Sequence, residues 1–158
     1  MSLSDIREQI KVILAGVSGI GVVHDYERFN KNWDQFLKLF LDSDQRINGC
    51  MFTREKCPKN MIALGEYEKA HIFVFRFFMG LKDDEGTGVI FDDHIEDVEA
   101  AFRNKETLND TCQTINPQWG PMNGAEGIQL DVSENRMFGN VLCHYAEMRL
   151  CAIEVVDS

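Results

Sequence analysis

Residue types able to do chemistry gather at a few points in this sequence. Asp92-Asp93-His94 sets two carboxylates beside an imidazole, donor types that suit a divalent cation. On a helix, however, paired metal ligands usually recur at i and i+4, and no second histidine stands nearby. His24-Asp25 offers half of a general-base pair, and Cys143-His144 offers a nucleophile beside a base. Both pairs fall in strand-like sequence, where neighbours point to opposite faces and cannot easily cooperate. Asp92 and Glu96 share a helix face and could do acid–base work, but a solvated face explains them more simply. The glycines of Gly16-x-x-Gly19-x-Gly21 follow a helix and precede a strand. A dinucleotide turn needs Gly-x-Gly-x-x-Gly in the reverse setting, with a helix N-terminus facing the phosphate, so this segment reads as a helix stop and turn. Gly-x-Ser-x-Gly, Walker-type and zinc-ligand spacings are all missing from the sequence. The expectation is a chain with no catalytic residue, cofactor or resident metal. The enzyme alternative is a small metal-dependent activity using Asp92, Asp93 and His94.

Two further segments have the chemistry of recognition. From Asp83 to Glu99 the chain carries Asp83, Asp84, Glu85, Asp92, Asp93, Glu96, Asp97 and Glu99, with no Lys or Arg. This is either an ordinary solvated face or a negative surface that lines a channel or meets a basic partner. Tyr26-Glu27-Arg28-Phe29 combines aromatic residues with an arginine, types enriched at interface hot spots, and is a candidate subunit contact.

The elements that position these residues can be read from periodicity. Leu3, Ile6, Ile10, Ile13, Leu14 and Val17 predict a first helix with Ser4 as N-cap, stopped at Gly16 and Gly19. A strand over Ile20 to Arg28 follows, then a short helix over Lys31 to Leu41 and a strand over Ile47 to Arg54. Pro58 to Tyr67 reads as an irregular connection. Lys69 to Leu81 is the strongest strand pattern, and since neither of its faces is fully polar it belongs in the centre of a sheet or against a neighbouring subunit. Lys82 to Gly88 reads as an acidic loop before a helix from about Val89 to Asn104. Thr111 to Ile115, Gly127 to Val132 and the long segment Asn140 to Val156 read as strands, separated by a loop over Pro117 to Gly124. The pattern predicts an α+β fold: one mostly antiparallel sheet with helices packed on one face, in a single domain spanning 1–158.

Bulk composition narrows the field of partners. The 158 residues carry a formal net charge of −10, which argues against a free-standing nucleic-acid binder and against an anionic membrane surface. It permits DNA to pass without sticking. Cys50, Cys57, Cys112, Cys143 and Cys151 form no Cys-x-x-Cys pair, and all five read as reduced thiols of a cytosolic protein. The first residues show no basic-then-apolar leader pattern, and apolar runs such as Ile72 to Phe75 are far short of the roughly 20 residues that span a bilayer.

Six phrases in the chain, taken together, resemble the tail-terminator (tail-completion) proteins of long-tailed phages and prophages. They are Val17-Ser18-Gly19-Ile20-Gly21 leading to His24-Asp25-Tyr26-Glu27-Arg28; the Ile-Asn-Gly-x-x-x-Thr-Arg strand at Ile47 to Arg54; the turn Met79 to Asp83; Ala101 to Leu108; Gly127 to Asp131; and Met137 to His144. They occur in the family's order from Ile6 to about Ala152. Two features depart from the family pattern: Cys50 stands where Trp often follows Ile-Asn-Gly, and the Pro117 to Gly124 loop has no familiar counterpart. The resemblance implies a structural protein that forms a ring, usually of six subunits, on the completed tail tube. Such a ring ends tube polymerisation and offers a surface to the head. The implied partners are further copies of the chain, a tail-tube protein and a head-completion protein, with double-stranded DNA only in passage and no membrane. The implied location is the host cytoplasm during assembly and then the virion tail. The acidic residues Asp83, Asp84, Glu85, Asp92, Asp93 and Glu96 would face the lumen or the head-side partner, and Tyr26 to Phe29 a neighbouring subunit. A close alternative is another head–tail joining or tail-tube component of similar fold.

Overall fold

Strand β4 (Glu66–Gly80) carries the two-sided apolar pattern, and the computed structural model, which describes residues 2–157, places it at the centre of the sheet. The strand order is β1 (Val22–His24), β2 (Asn48–Lys56), β4, β6 (Val141–Asp157), β5 (Gln129–Phe138). A sixth strand, β3 (Lys59–Ala63), also pairs with β4, beyond the end of β2. Every pairing is antiparallel except β1 with β2. The fold is α+β, with one mixed, mostly antiparallel six-strand sheet and three helices.

The alternation along β4 decides what covers each face. Phe73, Phe75 and Phe77 point to one side, where Cys50 and Phe52 of β2 and Ala146, Met148, Leu150 and Ala152 of β6 join them. Helix α1 (Leu3–Ala15) brings Ile6, Ile10 and Leu14 to this face, and α3 (Thr87–Arg103) brings Phe91, Ile95, Val98 and Phe102. This is the main core. The short helix α2 (Trp33–Lys38) packs on the opposite face, where Phe36 and Phe40 meet Phe78, Phe138 and Tyr145. The two long helices therefore share one face as expected, while α2 is the exception. Its position follows from topology: β1 and β2 are parallel neighbours, so the chain must cross over between them, and the crossover carries α2. Further along this second face, Trp119 and Met122 of the loop after α3 cover Ala70, Ile72, Cys151 and Ile153.

Local chemistry sets several boundaries differently from the periodicity. The N-cap of α1 is Ser2 and not Ser4; its hydroxyl accepts from the Asp5 amide at 3.2 Å. The strand expected through Arg28 ends at His24, whose ring donates to the Leu39 carbonyl at 2.7 Å, and the chain bends at Asp25 and Tyr26. Pro58 interrupts the strand for only two residues. Its carbonyl accepts from the Ala70 amide at 2.9 Å, and pairing resumes as β3, where an irregular connection was expected. Thr111 to Ile115 contributes a single bridge, Thr114 to Ile153. Gly21 has φ 71° and lies against the Asn48 peptide, so closely that a Cβ there would stand 2.0 Å from the Asn48 carbonyl oxygen.

Candidate functional site

The acidic segment divides into two parts. Asp83–Glu85 form one exposed 3-10 turn, closed by Gly86 in the left-handed conformation. Thr87 then opens α3, its hydroxyl accepting from the Lys82 amide at 2.9 Å. On α3, Asp92, Asp93, Glu96 and Asp97 are exposed, while the fourth-turn residue Glu99 pairs with Arg103. Within the turn, Glu85 pairs with Arg46 at 3.2 Å. Asp83, Asp84, Asp92, Asp93 and Glu96 are thus all accessible, the first two in the turn before α3 and the others along its second and third turns.

His94 departs from that surface. It is 7% exposed and faces inward, edge-on to Phe77 at 6.2 Å between ring centroids. Burial lowers its pKa, partly offset by Asp97. Asp92 and Asp93 point to solvent, so the three residues of the metal alternative do not converge. Among the described residues no group of three His, Cys, Asp or Glu side chains is arranged to hold a metal ion. Cys143 and His144 face apart as expected. Cys143 is buried among the rings of α2's cluster, and His144 stacks on Phe91 while its nitrogens engage Thr87 at 2.8 Å and Asn135 at 2.9 Å.

Tyr26 to Phe29 lies in a bend after β1. Phe29 is 80% exposed and Tyr26 56% exposed. Arg28 is held by the His24 ring at 3.2 Å and lies over Tyr26 at 5.2 Å, and Glu27 approaches Arg76 at 3.9 Å. The segment presents two bare aromatic rings around a fixed guanidinium.

Two further surfaces were not legible as sites in the sequence. The first is the β3–β4 hairpin, which ends in Leu64-Gly65. Leu64 is 99% exposed, and Met61 and Ile62 are also exposed. From Lys56 to Gly65 the chain carries Lys56 and Lys59 and no carboxylate, in a molecule of net charge −10. The second is a recess of about 540 Å3 at the other end of β4, walled by Leu41, Ile47, Met79, Ile90, Val141 and Leu142. Asp42, Asp44, Arg46, Lys82 and Glu85 contribute to its lining. The exposed apolar residues of the hairpin were the only signal available, and Pro58 obscured the strand that presents them.

A third grouping joins distant parts of the chain. His71 of β4 is 1% exposed; its Nε2 lies 2.8 Å from the Glu154 carboxylate, and its Nδ1 lies 3.5 Å from the Cys57 sulfur and 3.3 Å from Arg54 Nη1. Burial lowers the His71 pKa, opposed by the hydrogen bond to Glu154. Cys57 is half-buried, whereas the other four cysteines are buried. Burial pushes the thiols of Cys50, Cys112 and Cys151 up to about 12 and that of Cys143 to about 11. Residues 57, 71 and 154 lie too far apart in the sequence for any local motif to reveal them together.

No helix among the described residues is long and apolar enough to cross a membrane. No protein-family model matches the chain, and no curated protein matches it.

Proposed function

We propose that this chain is a structural protein of a phage or prophage tail that assembles as a ring, caps the completed tail tube and presents a joining surface to the head. The observation that carries the reading is the pairing of an exposed apolar knob with an apolar recess at opposite ends of one strand. Met61, Ile62 and Leu64 project beside Glu66 at the start of β4, and the recess opens around Met79 and Gly80 at its end. Exposed apolar groups and recesses of this kind mark association surfaces. Because knob and recess are different surfaces, contact between copies is head-to-tail, the type that generates a ring when the rotation closes.

In this reading Tyr26 and Phe29 add to the subunit contact. The acidic residues Asp83, Asp84, Asp92, Asp93 and Glu96 face the lumen or the head-side partner, where negative charge keeps DNA from adhering in transit. The six ordered phrases that resemble tail terminators support assignment to this role among tail components. The test is tube assembly in vitro with the tail-tube protein of the same phage or prophage. Electron microscopy is expected to show rings of about six subunits on tube ends and an arrest of elongation. Unchanged tube growth, with no ring in solution or on tube ends at any protein concentration, overturns the proposal.

A further inference from the structure

The Cys57–His71–Glu154 grouping has no part in the assembly reading. Arginine has hydrogen-bond donors and no acceptor, so the contact between Arg54 Nη1 and His71 Nδ1 requires a lone pair on that nitrogen. The ring proton of neutral His71 therefore sits on Nε2 and is donated to the Glu154 carboxylate at 2.8 Å. Glu154 is itself 8% exposed, and it fixes both the tautomer and the orientation of the ring. The Cys57 thiol lies 3.5 Å from the same Nδ1 and shares its lone pair with the longer-reaching Arg54 side chain. A thiol, an acceptor imidazole and a buried carboxylate thus stand in sequence, each oriented by the next, which is the arrangement that activates a nucleophile.

We propose that Cys57 is a reactive thiol, activated by His71 and Glu154, that exchanges with low-molecular-weight disulfides. In the exchange the thiol proton passes to His71 Nδ1, and the Cys57 sulfur attacks one sulfur of the disulfide R–S–S–R. A bond forms between Cys57 and that sulfur, the original S–S bond breaks, and its electron pair leaves on RS⁻. His71 returns the proton to give RSH. The product is a mixed disulfide on Cys57, at the junction of β2 and β3 where the projecting hairpin is rooted. The half-burial of Cys57 lets a small disulfide reach it, and the burial of the other four thiols confines the reaction to this position.

The experiment treats the folded full-length chain at pH 7 with oxidised glutathione and maps adducts by mass spectrometry. One adduct per chain, at Cys57, is expected, and Cys57→Ser removes it. Alkylation by iodoacetamide is then timed against a synthetic peptide of residues 52–61, which keeps Arg54, Glu55, Lys56 and Lys59 but lacks His71. The folded chain is expected to react at least about fivefold faster than the peptide, because partial burial alone can only slow a thiol. His71→Gln is expected to bring the rate down to that of the peptide or below. Should that variant fail to fold, Glu154→Gln, which keeps an acceptor for the Nε2–H but removes the carboxylate charge, takes its place with an expected fall of about two- to fivefold. The proposal is overturned by an adduct at any other cysteine, by no adduct, or by a folded-chain rate no greater than the peptide's. A folded His71→Gln chain with an undiminished rate also overturns it, as does an undiminished rate in Glu154→Gln where His71→Gln does not fold.

Discussion

His71 and Glu154 occupy neighbouring strands two register positions apart: His71 stands opposite Ala152 and Glu154 opposite Lys69, yet their side chains meet diagonally at 2.8 Å. The diagonal is within reach because both residues point to the same face of an antiparallel pair. Replacing Glu154 by Ala leaves the buried Nε2–H of His71 without this acceptor. The expected loss is about 1–3 kcal/mol, read as a lower urea midpoint at unchanged slope.

The three buried histidines make stability depend on pH in one direction. Burial lowers the pKa of His71, His94 and His144 below the ordinary 6.5. Below about 6.5 the unfolded chain takes up protons that the folded chain resists, so each histidine's contribution is full above that pH and is lost as the pH falls toward the folded value. Urea denaturation between pH 7.5 and 5 is expected to show stability falling with acid. His94→Phe, against Phe77, is expected to flatten that slope.

Stability and the proposed self-association rest on different residues, Phe78 within β4 and Leu64 at the hairpin tip. Phe78 is 2% exposed and touches Phe36, Phe40, Phe138 and Tyr145, so Phe78→Ala is expected to cost about 3–5 kcal/mol. Leu64→Ser, fully exposed at the hairpin tip, is expected to stay within about 0.5 kcal/mol of the parent chain. The same substitution is expected to weaken self-association, seen by light scattering across a concentration series.

The two left-handed glycines before β1 are expected to respond unequally. At Gly19 the space beside the Cα is open, so Gly19→Ala meets only the conformational cost of a positive φ, about 1–2 kcal/mol. Gly21→Ala meets the Asn48 backbone as well and is expected to cost more, with loss of the β1–β2 pairing. Thermal melts of the two variants, side by side, check the difference.

Charge reversal tests the acidic surface apart from folding. Asp92→Lys, Asp93→Lys and Glu96→Lys alter exposed side chains and are expected to change stability by about 0.5 kcal/mol or less each. In a phage assembly assay the triple variant is expected to impair DNA passage or head joining. Wild-type yield of joined particles would remove that surface from the proposed role.

The sequence made the fold legible where one physical signal dominated. The β4 alternation, the α3 stripe from Phe91 to Phe102 and the α1 stripe from Ile6 to Leu14 all depend on burial, and their positions emerged from period alone. β3 was hidden because its five residues are all exposed and carry no alternation, and Pro58 precedes it. Much of β5 was hidden for a related reason: Asp131, Ser133, Glu134 and Asn135 lie exposed on an outer strand that pairs only with β6, where backbone hydrogen bonds and not burial set the structure. The crossover of α2 to the second face is a property of strand order, which no local pattern encodes. Of the candidate surfaces, the accessible acids of α3 and the bare rings of Tyr26 and Phe29 followed from residue type. The metal alternative grouped His94 with Asp92 and Asp93, but helical geometry turns it inward beside Ile95. The Cys57–His71–Glu154 alignment arises only when the sheet brings β2, β4 and β6 together.

The continuous register between β4 and β6 has a mechanical consequence. Fifteen residue pairs, from Glu66–Asp157 to Gly80–Cys143, run without a break from the hairpin root to the rim of the recess. A pull along the strand axis loads these pairs in shear, all together, and does not peel them apart one at a time. In the proposed ring, tension entering at Leu64 is carried along the paired strands to the recess at their far end, as a tie rod carries load between two joints.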